Sequence, residues 1–172
     1  MQPSDQEILL LKEYFGEQYA ISNQEDVIKA QNMLIERLPQ DFSRAPFREP
    51  LILQSIVKMD VAICSERSLL LQKLFLANNL KVRPVFVYWN HSNTSVIDLF
   101  KTGTQSHNIF EVKIDNKWYA VETTENKMSK LFALDSNDFN YYDEVPSHAK
   151  FIRHIFSRHG VFIFPSYIPD IY

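Results

Sequence analysis

Cysteine is almost absent from the 172 residues: Cys64 stands alone, which excludes an internal disulfide and a cysteine-based metal cluster. Glycine is nearly as scarce, with three in the chain, and none belongs to a Walker-type or GxGxxG phosphate loop. The five histidines, His91, His107, His148, His154 and His159, lack HExxH or similar ligand spacing. Neither a metal nor a nucleotide cofactor is indicated. No block of Lys or Arg occurs, the formal net charge is -3 and the pI is about 5.9, so nucleic acid is a poor partner. No run approaches the roughly 18 apolar residues of a membrane span. The opening MQPSDQEILLLKEY has no basic start, long apolar run or small-residue cleavage site, and a cytoplasmic location is the expectation.

What is present suits one well-filled core. Apolar residues make up 45% and aromatics 13%, and the length allows a single domain over 1–172. We expect a helical N-terminal part (1–60), a core motif (61–124), and C-terminal strands and tail (125–172). Ser4 with Glu7, and Ser22 with Glu25, are capping-box patterns ahead of helices at about 5–19 and 23–38. Pro39, Pro46 and Pro50 punctuate a turn-rich passage. Leu51, Ile52, Ser55, Ile56 and Met59 then recur at helical spacing and predict a third helix leading to Cys64.

The segment CSERSLLLQKLFLANN is apolar over most of its circumference from Leu69 to Ala77 and reads as a central buried helix ending near Asn78 and Asn79. KVRPVFVYW follows with the β-branched and aromatic density of a strand. Polar residues from His91 to Ser95 and the stretch KTGTQS suggest loops, so 90–106 should border any active site. KFIRHIF and GVFIFP read as two late strands, and PSYIPDIY as an extended strap.

Between these lies a hairpin. HNIFEVKI and WYAVETT flank the turn signal Asp115-Asn116-Lys117. With Asp115 and Asn116 as loop residues, Ile114 faces Lys117, Val112 faces Tyr119 and Phe110 faces Val121, which gathers five apolar side chains on one face. The same register makes His107 and Glu122 diagonal neighbours on the other face. A loop one residue longer would separate them.

Taken alone, a free cysteine in such a segment is more often a small core side chain. At a helix start, however, unpaired N–H groups and the positive dipole end lie where a thiolate charge is stabilised. With a histidine and a carboxylate paired across two strands, the parts of an activated cysteine are complete: nucleophile, base and orienting group.

At these residues the sequence resembles the transglutaminase-like superfamily, whose core has the papain-like cysteine protease fold. The corresponding stretches are AICSERSLLLQKLFLANNLKVRPVFV, HNIFEV and WYAVETT, and His107 and Glu122 stand fifteen residues apart. The match covers about 61–124. Ala62 stands where glycine is usual, Ile109 where tryptophan is usual, and Glu122 where aspartate is usual.

The resemblance implies an α+β fold with N-terminal helices and a central cysteine-bearing helix on an antiparallel sheet. It implies Cys64 as nucleophile, His107 as general base and acid, and Glu122 as the residue that orients His107. The expected reaction forms a thioester from an amide or other acyl donor and resolves it with an amine or water, without a cofactor. The backbone N–H of Cys64 is the expected oxyanion donor, with Gln54 a candidate for a second. Two alternatives stay open: a transglutaminase-fold binding module without catalysis, and a structural subunit docking through its apolar tail, 161–172.

Overall fold

Ser4 begins the first helix as its sequence predicts. The Ser4 hydroxyl accepts from the Glu7 N–H (3.3 Å) and the Glu7 carboxylate accepts from the Ser4 N–H (2.7 Å), closing a capping box on α1, Asp5–Phe15. A 3-10 turn over Gly16–Tyr19 finishes this hydrophobic start. The structure is a computed structural model that describes residues 2–41, 52–90, 95, 97, 103–123, 127–131, 133–134 and 149–153.

Helix α2 spans Gln24–Arg37 and starts one residue later than the Ser22/Glu25 pattern implies. Asn23 is the N-cap, its side chain accepting from the Asp26 N–H (3.1 Å), while Ser22 donates to Asp26. Asparagine competes well with serine at this position, and Glu25 instead pairs with Lys29 one turn on (2.7 Å). The third helix is much shorter than expected: α3 is Leu53–Ile56. Ile52 precedes it without a side-chain cap, and one turn has too few hydrogen bonds to propagate.

Helix α4, Cys64–Ala77, is the centre of the fold. Its side chains from Ser65 to Phe75 are buried, and its C-terminus stops at Asn78 and Asn79. Asn78 holds the Tyr19 carbonyl (2.8 Å) and accepts from the Ile21 N–H (3.1 Å), and Asn79 takes φ 60°, a left-handed value that asparagine tolerates better than most residues. The second strong anchor is at the other end, where Ala62 bridges Gln40 and its N–H donates to the Pro39 carbonyl (3.0 Å).

The sheet has strand order β3-β2-β1-β4 among the described residues, with β1 Lys81–Trp89, β2 Gln105–Ile114, β3 Lys117–Val121 and β4 Lys150–Arg153, and every pairing antiparallel. The hairpin register is the one its sequence predicts: Ile114 opposite Lys117, Val112 opposite Tyr119, Phe110 opposite Val121. Asp115 and Asn116 sit at φ 48° and 65°, the paired left-handed geometry of a two-residue turn whose twist matches its strands. Phe110, Val112, Ile114, Tyr119 and Val121 join Leu70, Leu71, Leu74 and Phe75 of α4 in the main core, with Phe75 and Phe110 ring centroids 5.4 Å apart. On the opposite alternation, Val85, Val87 and Ile109 form a second apolar cluster with Ala149.

The fold is therefore α+β, with four helices and a four-stranded antiparallel sheet among the described residues. No helix there is long and apolar enough to cross a membrane. Most of the expected loop 90–106, the run GVFIFP and the tail 161–172 lie outside the described residues.

Candidate active site

Strand β2 sets His107 opposite Val87 of β1. Glu122 follows directly after β3, one step beyond the Phe110–Val121 pair. The even loop parity puts both on the same alternation, and their side chains meet: His107 Nε2 lies 3.1 Å from Glu122 Oε1. The same carboxylate oxygen accepts from the Thr123 N–H at 2.7 Å, so the peptide next in sequence holds the carboxylate. Both side chains are nearly closed off, His107 9% and Glu122 5% exposed.

The third member arrives on α4. Cys64 is the first residue of the helix, a free and half-buried thiol, and it forms a side-chain hydrogen bond with the His107 ring. Since Nε2 serves Glu122, Nδ1 is left for the sulfur. Burial works against a charged imidazole here, but hydrogen bonds and negative charge from Cys64 and Glu122 outweigh it and push the His107 pKa up to about 10. The ring thus holds its proton across the neutral range.

The helix start is shaped by its neighbours. Glu66 reaches back to accept from the Ile63 N–H (3.1 Å) and from the Ser65 hydroxyl (3.0 Å), half of a capping box whose N-cap side chain is apolar. Burial pushes the Glu66 carboxyl up, against the backbone and Ser65 hydrogen bonds that lower it. The Cys64 N–H, by its position in the first turn, has no partner within the helix.

No family model, curated protein or solved structure matches this chain. Its site accordingly stands on its own geometry. The structure brings together the three residues singled out from sequence, Cys64, His107 and Glu122. Gln54 sits half-buried on α3, and no hydrogen bond links it to this cluster among the described residues. Nor do the described residues hold a group of three or more His, Cys, Asp or Glu side chains able to bind a metal.

The sequence pattern gives little sign of the buried polar residues that hold this cluster in place. Arg67 is fully buried and donates from Nε to the Leu38 carbonyl (2.8 Å) and from Nη1 to the Thr123 carbonyl (3.2 Å) and Gln40 (3.4 Å). Gln31, also fully buried, donates to the Glu122 carbonyl (3.2 Å) and accepts from the Met128 N–H (3.2 Å). Asn32 pairs with both polar groups of the Met128 backbone (2.8 and 2.9 Å). The available signal was position: Arg67 precedes Leu70, Leu71 and Leu74 on one face of α4, and Gln31 falls between Val27 and Leu34 on the buried face of α2.

Proposed function

We propose that this protein is a cysteine-dependent enzyme of transglutaminase-like type, which forms a thioester from an amide or other acyl donor and resolves it with an amine or with water. One observation carries the reading: a single buried imidazole bonded to a thiol at a helix start on one side and to a carboxylate on the other. Hydrogen-bonding geometry of this kind belongs to activated nucleophiles.

In the first half-reaction the Cys64 thiolate attacks the acyl carbon, and its electron pair becomes the new C–S bond while the carbonyl π pair moves to oxygen. The Cys64 N–H, unpaired within the helix, is placed to receive that oxyanion. As the oxyanion collapses, the C–N bond breaks and the His107 imidazolium gives its proton to the departing amine. Glu122 holds the ring at Nε2 throughout, fixing which nitrogen faces the sulfur.

Thioester formation also changes the electrostatics. The sulfur loses its negative charge, so one of the two anions that keep the ring protonated disappears. Neutral His107 then serves as base, taking a proton from the incoming amine or water as its lone pair attacks the thioester. The C–S bond breaks and thiolate and imidazolium are restored.

The test is alkylation of Cys64 by iodoacetamide across pH in the native protein and in His107→Ala, with the single cysteine making the signal unambiguous. Fast labelling near pH 7 that drops at least about tenfold in the variant is expected of an ion-paired thiol. Equal rates in the two proteins would remove the enzymatic reading in favour of a binding module.

A further inference from the structure

We infer that Arg67 is a positioning residue of the site, acting through the Thr123 backbone on the Glu122 carboxylate, an inference that rests on the catalytic reading above. Thr123 is bound on both sides. Its N–H donates to Glu122 Oε1 at 2.7 Å, and its carbonyl accepts from Arg67 Nη1 at 3.2 Å. Arg67 lies one turn along α4 from Cys64, so the helix that supplies the nucleophile also grips the residue that orients the base's partner.

The other end of the guanidinium is anchored too. Nε donates to the Leu38 carbonyl (2.8 Å) where α2 ends, next to the Pro39 and Gln40 backbone that pairs with Ala62 just before the nucleophile. A rigid fork of donors can hold two carbonyls at fixed separation, which a lysine ammonium on a flexible stem does not do. The Thr123 N–H lies in the preceding peptide plane, whose Glu122 carbonyl accepts from Gln31 (3.2 Å), so Arg67 fixes the plane after the Thr123 Cα and Gln31 the plane before it. With both held, the N–H keeps its direction towards the carboxylate oxygen that receives His107 Nε2.

Charge alone therefore does not explain the arrangement; direction does. Arg67→Lys keeps the charge and loses the fork. The variant is compared with Leu34→Ala, a cavity in the same core that destabilises without touching the site. The readouts are the Cys64 alkylation rate against pH and the titration of the His107 ring followed by NMR, with its resonance identified by its loss in His107→Gln.

The expected result for folded Arg67→Lys is a His107 midpoint lower by about one pH unit, a tenfold shift in the imidazolium to imidazole ratio, with alkylation falling by a similar factor. Leu34→Ala should leave the midpoint in place. A folded Arg67→Lys with the native midpoint and pH profile overturns the inference. Should Arg67→Lys not fold, replacing the amide after Thr123 by an ester weakens the same carbonyl acceptor while keeping every side chain; the same shift supports the inference and its absence overturns it. Failure of the catalytic reading itself looks different, since His107→Ala would then leave alkylation unchanged.

Discussion

Replacing Glu122 by glutamine isolates one term in the site, the negative charge beside the imidazole. The amide oxygen can accept the Thr123 N–H and the His107 Nε2–H as the carboxylate does, so geometry is preserved while the charge is lost. At 3.1 Å in a nearly closed pocket, an opposite charge commonly moves a pKa by about 1 to 3 units. From about 10 in the native site, the His107 midpoint should fall into the range of roughly 7 to 9. The Cys64 bond remains and keeps part of the elevation, while burial, which opposes the charged ring, is no longer fully offset. The assay is NMR titration of the ring with parallel alkylation rates. A midpoint still within about 0.3 unit of native would mean that the Glu122 charge does not hold the proton on His107, and its electrostatic role would fall.

Other predictions follow from the same structure. His107 carries a folded-state pKa raised from 6.5 to about 10, so its contribution to stability is complete below about pH 6.5 and disappears as pH climbs through about 10. Urea unfolding from pH 6 to 10.5 should show an alkaline decline that His107→Ala lacks, and parallel curves would contradict the shift. Phe110→Ala removes a fully buried ring packed on Phe75 and should cost about 3 to 5 kcal/mol by denaturant melts, whereas a cost under about 1 kcal/mol would mean that the hairpin is not seated on α4. Glu66→Ala should cost about 1 to 3 kcal/mol because the Ile63 N–H and Ser65 hydroxyl lose their buried acceptor, and Glu66→Gln should recover most of it.

Several features of this fold are written locally and others are not. The hairpin was legible because a two-residue turn and a period of two settle the pairing together, and a wrong parity would have put Phe110, Val112 and Val121 in solvent. The start of α4 at Cys64 and its end at Asn78 were legible for similar reasons of pattern. The strand order β3-β2-β1-β4 was not, since it depends on contacts between segments far apart in sequence. Arg67 was hidden inside a polar tetrapeptide, Ser65 to Ser68, that reads as a solvated helix start. Its burial depends on Leu38, Gln40 and Thr123 converging from three separate stretches. The third helix was overread because apolar spacing from Leu51 to Met59 carries no information about a missing cap.

The histidine and the glutamate belong to one hairpin, whereas the thiol comes from a helix 43 positions earlier than the histidine. A hairpin with a two-residue turn closes early, on the order of 1 to 10 μs, yet it does not contain Cys64. Cys64 acquires its partners when α4 docks across β1 and β2, the same event that buries Phe75 against Phe110. In a nascent or partly unfolded chain Cys64 therefore lacks both His107 and the Glu122 carboxylate behind it, and the three meet only as the core completes.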